Sequence, residues 1–455
     1  MRKRIVVTVA LGIILSASAY AQTADFFELV QTGTPQSVQA AIDQGAGVNT
    51  RDIYGTTALM LAAAFNQNPE AITTLLKAGA DIKAQNQNGN TALMFAAQLN
   101  ENLEVITTLL KAGADITTQD KDGNTALAGA ATNNQNSEVI TTLLKAGADP
   151  KAQNRYGMTA LMFAAQLNEN PEVITTLLKA GADIKVKNKE GWTALMLAAA
   201  VNQNPEVFSA LLEAGAEVNA RDMHGQTALM KAAAYTKNAE VLAMLLKAGA
   251  DLKARDKNGL TVLMWAAHNN PNFEVFTTLL KAGVDISAQD KTGVTALMYA
   301  AHNNPNLEVV TALLKAGADI EAQNKSGWTA LMYAAEGNTN PEVITTLLKA
   351  GADIKAQDKD GGTSLMWAAN SNANPEVITT LLKAGADIKA QNKYGVTVLM
   401  YAADYSQNAE VITTLLKAGA DTKVKDIYGN TAFDYAQENE KLKGTDAYWA
   451  LRDAQ

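Results

Sequence analysis

Glycine recurs at positions 55, 89, 123, 157, 191, 225, 259, 293, 327, 361, 395 and 429, always 34 residues apart. A fixed period of roughly 20 to 50 residues marks a stacked solenoid, in which one unit cannot bury its apolar face alone. The energetics agree. Two Leu, an Ile and a Val per unit contribute ~1.5 to 3 kcal/mol each on burial. Ordering the backbone costs ~1 to 2 kcal/mol for every one of the 34 residues. Only stacking on neighbours closes that gap. The stretch NPEVITTLLKAGADIK, residues 170–185, returns letter for letter at 340–355 and 374–389, which reads as framework required at every interface.

Each unit punctuates itself. Thr stands two residues after the glycine in all twelve cases, as Thr193 does in GWTALMLAAA, placed to cap a first helix. Leu195, Ala198 and Ala199 then fall at i, i+3 and i+4 on one apolar face. That helix ends near an Asn such as Asn202. Asn at the position of Asn204 opens a second helix in all eleven full units, with an acid two places on and Pro between them in five. Lys at the position of Lys179, replaced only by Glu213, sits in the last turn, and Gly181 and its equivalents form a left-handed stop. The following ADIKAQNKxG has no helical period and predicts an extended, hairpin-like finger. The Asp or Asn three residues before each finger glycine predicts bonding from finger backbone to finger backbone.

The pattern GxTALMxAA followed by EVITTLLKAGADI resembles the ankyrin repeat, in which two antiparallel helices and a β-hairpin form an L-shaped unit of 33 residues. The extra residue lies in the loop between the helices. The tetratricopeptide repeat shares the 34-residue period but has no finger and needs a Trp, Leu-Gly and Tyr pattern absent here. Two departures stand out: the family's T-P-L-H is T-A-L-M in this chain, losing the Pro and the His. The resemblance implies an all-α repeat solenoid of about thirteen units: an N-terminal capping repeat over 22–54, eleven repeats over 55–428 and a C-terminal capping repeat over 429–455. It also implies a concave groove, lined by first helices and fingers, that binds partner proteins.

The first residues predict an address. Arg2, Lys3 and Arg4 precede an apolar run from Ile5 to Leu15, and Ala19-Tyr20-Ala21 offers a small-x-small cleavage site. Residues 1–21 therefore read as a signal peptide of bacterial type, with a periplasmic or secreted destination. A spanning helix needs about 20 apolar residues, and Ser16 and Ser18 intervene first. No other stretch is long and apolar enough, so no membrane insertion is expected after signal removal. Without Arg2, Lys3 and Arg4 the chain keeps 35 basic against 46 acidic residues, a net charge of −11. That argues against a sequence-independent grip on nucleic acid and favours a soluble monomer. With no cysteine, burial rather than disulfides must hold an exported chain together.

Function should lie where the units differ: beside the glycine, then six, nine and ten residues after it. Position six carries Phe95 and Phe163 early in the chain, then Trp265, Tyr299, Tyr333, Trp367, Tyr401 and Tyr435 without interruption. At 100° per residue this position lies about 200° from the core Leu, on the groove side, and predicts an aromatic ladder. His268 and His302 share that face. Tyr156, Tyr394 and Tyr428, just before a finger glycine, and Trp192 and Trp328, just after one, are the candidate finger contacts. The expected partner is a protein; a glycan stacking on the Trp and Tyr rings is the alternative. Chemistry finds little footing. Three histidines and no cysteine supply no nucleophile arrangement, no metal set and no cofactor motif, and DKDGNT at Asp120 and DKDGGT at Asp358 lack the later ligands of a calcium loop. The expectation is a non-enzymatic binding scaffold.

Overall fold

The computed structural model describes residues 17–372 and 374–454, with side chains from residue 25 onward. The basic start and the whole apolar run of the expected signal, within residues 1–16, lie outside the described residues. The chain forms two compact units, one from Met1–Ala198 with Glu206–Ala216 and one from Ala199–Pro205 with Glu217–Gln455. Among the described residues there are 26 α-helices and no strand, so the all-α repeat architecture is as expected. The fingers are sparer than hairpins: they are turns closed at most by single bridges such as Gln289↔Thr295 and Gln357↔Thr363.

Local chemistry sets each helix. In one representative repeat, Thr295 caps Ala296–Asn303, its side chain accepting from the Met298 amide. Asn306 caps Leu307–Lys315, accepting from Glu308, with Lys315 in the last turn. Met fills the place left by the family's His and does more than occupy it: the thioether of Met298 accepts the Thr295 amide at 3.4 Å. In the terminal repeat Asp434 replaces that Met and accepts the amide and hydroxyl of Thr431, both at 2.7 Å. The N-terminal helix Ala17–Thr32 is 16 residues long, against 8 for the first helix of an internal repeat, and it starts ahead of the expected boundary at residue 22.

Within each unit, first helices pack on first helices and second on second, as Ala296–Asn303 does on Ala330–Gly337. Leu297 and Met298 are 1% exposed, and Ala300, Ala301, Val309, Val310 and Leu313 are fully buried. Polar bonds then fix the register. The buried amide of Asn304 donates to the carbonyls of Ala267 at 3.0 Å and Asn270 at 2.9 Å, one repeat back. Its oxygen accepts the amide of Asn306 at 3.0 Å, and Asn306 in turn donates to the carbonyl of Pro271. The same cross-repeat donation is made by Asn66, Asn100, Asn134, Asn168, Asn270, Asn338, Asn372 and Asn439.

Fingers are tied backbone to backbone, the Lys325 amide donating to the Thr292 carbonyl at 2.8 Å. This corrects the expected role of the residue three before the glycine. Asp290 bonds its own finger, accepting the amides of Thr292 at 2.7 Å and Val294 at 2.9 Å, because its short side chain folds over its own turn.

The two glycines of a repeat are under different constraints. Gly293 and Gly317 both have positive φ, 86° and 91°. A Cβ on Gly317 meets nothing within 4 Å, whereas one on Gly293 lies 2.9 Å from the Lys325 amide nitrogen of the next finger. Gly317→Ala is therefore expected to cost only the left-handed penalty of about 1 to 2 kcal/mol. Gly293→Ala must also push neighbouring fingers apart, and its loss of stability in urea denaturation should be clearly larger. Equal losses would contradict this packing.

Candidate functional site

From Trp265 onward, position six of the second unit is occupied by a ring whose polar end is anchored on its own finger. The Trp265 indole N–H donates to Asp256 at 3.2 Å and that of Trp367 to Asp358 at 3.0 Å. The hydroxyls of Tyr299 and Tyr435 donate to Asp290 at 2.8 Å and Asp426 at 2.6 Å. Where the finger offers Asn, the direction reverses, with Asn324 and Asn392 donating to the hydroxyls of Tyr333 at 2.8 Å and Tyr401 at 3.1 Å. All six rings are half-buried. Lys231 uses the same geometry without a ring, pairing with buried Asp222 at 3.1 Å.

Neighbouring residues complete the surface. Trp328, a candidate finger contact, lies 4.3 Å from Trp367 and 5.3 Å from Tyr333, centroid to centroid, and Trp367 is 5.8 Å from Tyr401. His268 meets Tyr299 edge-on at 5.3 Å and His302 meets Tyr333 at 5.9 Å. Burial, reinforced by nearby His302, pushes the His268 pKa down. His302 approaches Glu336 at 2.8 Å over Gly337, where a Cβ would fall 2.4 Å from the imidazole. Among the described residues no three His, Asp or Glu side chains converge on a point that could hold a metal. Tyr394 and Tyr428 are exposed finger residues, 40% and 76% accessible.

The first unit presents different chemistry. Phe95 and Phe163 are half-buried and, having no polar end, leave Asn86 and Asn154 to other partners. Between them position six is Gly129, beside a recess of about 220 Å³. Ten residues after the glycine stand Phe65, Leu99 and Leu167, all more than 40% exposed. Following position six alone misses this apolar row, although position ten varies just as visibly. Tyr156 is exposed and Trp192 half-buried, and both border a second recess of about 510 Å³.

The ring anchors shift titration. Burial alone would raise Asp290, but hydrogen bonds from Thr292, Val294 and Tyr299 outweigh it and hold the carboxyl below its ordinary value; Asp426 behaves alike beneath Tyr435. Burial and the partner carboxylate push Tyr435 up to about 12, and Tyr299 is raised for the same reasons. Groups lowered on folding contribute stability above their unfolded pKa of about 4 and lose it as pH falls through the folded value. Asp290→Asn should thus destabilise at pH 6, with the deficit shrinking as the pH is lowered toward 2 in thermal melts. A deficit independent of pH would argue against the anchor.

Comparison with family models matches this chain to ankyrin repeats (3 copies) over residues 26–120, 96–188, 161–256, 263–358, 331–426 and 365–446. A sequence comparison with curated proteins finds no match. Helix pairs, fingers and family match agree over nearly all of the described chain, and repeats of this kind are generally protein-interaction scaffolds, typically non-enzymatic. The chain belongs to the ankyrin repeat family.

Proposed function

We propose that this protein is an exported, non-enzymatic scaffold that binds a partner protein through the helix-and-finger face of its second unit. One observation carries the reading: six consecutive repeats present half-exposed Trp or Tyr rings whose polar ends are already fixed by a finger Asp or Asn. Rings held in place before binding lose little rotamer freedom on contact, which is where interface energy concentrates. The glycan alternative has less support at this ladder, because sugar hydroxyls need hydrogen-bond partners and these indole and phenol groups are committed internally. Export rests on residues 1–21, and the periplasm or medium is where the partner would be met.

Residues 22–455, immobilised and exposed to periplasmic extract, should retain a specific protein. A variant carrying Trp265→Phe and Trp367→Phe keeps the helices while removing two anchored indoles. It should lose that protein, with affinity falling at least tenfold, about 1.4 kcal/mol. Retention unchanged by the double substitution would place the docking surface elsewhere.

A further inference from the structure

The repeat that carries Gly123 is cut short at two successive positions. Position five is Met in every other internal repeat and Ala128 here; position six bears a ring or a longer side chain elsewhere and is Gly129 here. The two truncations leave the recess of about 220 Å³ beside Gly129. Met94 and Gln98 line it from the repeat before, Phe163 from the repeat after, and Asp120 and Thr125 from its own finger and helix cap. Of the twelve threonines that cap first helices, Thr125 alone is not buried, so the recess uncovers a group that the other repeats cover. Space for a side chain is present. A Cβ on Gly129 would lie 3.5 Å from the Gln98 Cβ and 3.9 Å from the Met94 carbonyl, both ordinary contacts.

The recess keeps the anchor that a ring would use. Asp120 closes its own turn with one oxygen, accepting the amides of Asp122 and Asn124, both at 2.8 Å, as Asp290 does beneath Tyr299. Its other oxygen is the counterpart of the one that takes the Tyr299 hydroxyl. That oxygen accepts the Asn124 side-chain amide at 3.0 Å, and a second lone pair leaves room for one more donor. An ammonium fits less well. Lys231, at position six of another repeat, bonds both Asp222 and the side-chain oxygen of Gln226. Asn124 stands where Gln226 does, and its oxygen is already taken by the Asn154 amide at 2.8 Å. A wholly apolar ring would cover the Asp120 carboxylate without a bond, at a desolvation cost. What remains is a ring with a single N–H or O–H. Size points to a side chain, because about 220 Å³ falls below the roughly 300 to 1,000 Å³ of small-ligand sites. Leu167, one turn beyond Phe163, and Leu99, beside Gln98, are 47% and 43% exposed, so apolar surface continues where the rest of a protein ligand would lie.

We infer that the recess at Gly129 receives a tyrosine or tryptophan side chain of a partner protein, its O–H or N–H donating to Asp120 and its ring set against Met94 and Phe163. The inference rests on the chain being a protein-binding scaffold but not on the ladder, and its probes report on the recess alone, so its failure would leave the ladder reading standing.

The test is NMR titration of the full chain, labelled with ¹³C at its methionine methyls, with N-acetyl-L-tyrosinamide, N-acetyl-L-tryptophanamide and N-acetyl-L-phenylalaninamide. The Met94 signal should shift with the first two, with dissociation constants on the order of 1 mM. The phenylalanine amide, which has no ring donor, should bind roughly tenfold more weakly. Gly129→Tyr puts a ring into the recess from the chain itself, and should raise the melting temperature and abolish the Met94 shift. Asp120→Asn separates the two ligands. A finger Asn meets Tyr333 and Tyr401, whereas Trp265 and Trp367 both stand over Asp, since an indole can only donate. The variant should therefore keep most of its affinity for the tyrosine amide and lose roughly tenfold for the tryptophan amide. The inference is overturned by a Met94 signal that moves with neither ligand or only with p-cresol, by equal binding of the phenylalanine amide, or by an Asp120→Asn variant that treats the two ligands alike. Binding that survives Gly129→Tyr, or a melting temperature lowered by it, would overturn it as well.

Discussion

Everything the repeat presents to its surroundings depends on a buried asparagine. Asn304 and its equivalents send their side-chain amide to carbonyls one repeat back and use their oxygen to start the next helix. Hydrophobic burial supplies most of the attraction between repeats but is indifferent to small slips. A buried amide is not indifferent: displaced from its carbonyls, it would be left unsatisfied at a cost of about 1 to 3 kcal/mol. The asparagines thus convert a greasy interface into one with a fixed register. Two positions depart from the rule: Thr236 and Ser406 carry a hydroxyl there in place of the amide, each bonded to the Asn238 or Asn408 carbonyl, and Thr236 also reaches Gln203 one repeat back at 3.1 Å.

Register is what lets variable residues act together. Because finger follows finger through bonds such as Lys325 to Thr292, a ring at position six of one repeat stands beside the ring of the next. The carboxylates and amides beneath the rings then serve twice, closing their own turn with one oxygen and orienting a ring with the polar atom that remains. Positions without a polar end, such as Phe95 and Phe163, give the first unit a different surface of exposed apolar side chains and open recesses. One framework therefore supports two chemistries. A Cβ on Gly429 meets nothing within 4 Å, unlike one on Gly293.

Much of this is legible in the letters. Thr and Asn caps, the stop glycine and the Lys of the last turn are local signals, and each lies where its neighbours in sequence suffice to read it. The cross-repeat bonds are not legible, because their partners sit 34 and 37 residues away and a helix-ending Asn has local reasons to be there. The ring anchors are hidden for a related reason: ring and carboxylate are nine residues apart and meet only because a turn folds back onto the helix that follows. A signal for them does exist, since from Lys231 onward every residue at position six bears an N–H or O–H and every finger offers Asp or Asn. Adjacency to the glycine puts Trp328 on a finger but says nothing of the large ring in the next repeat, Trp367, that it packs against.

Native-state hydrogen exchange on residues 22–455 tests the register claim most directly, comparing the unaltered chain with Asn304→Ala and Ser406→Asn. If buried asparagines couple the repeats, the alanine variant loses protection in the helices on either side of residue 304 by roughly tenfold or more. The asparagine variant should gain protection around residue 406. Protection unchanged in both would mean that apolar packing alone sets the register and that the asparagine amides are incidental.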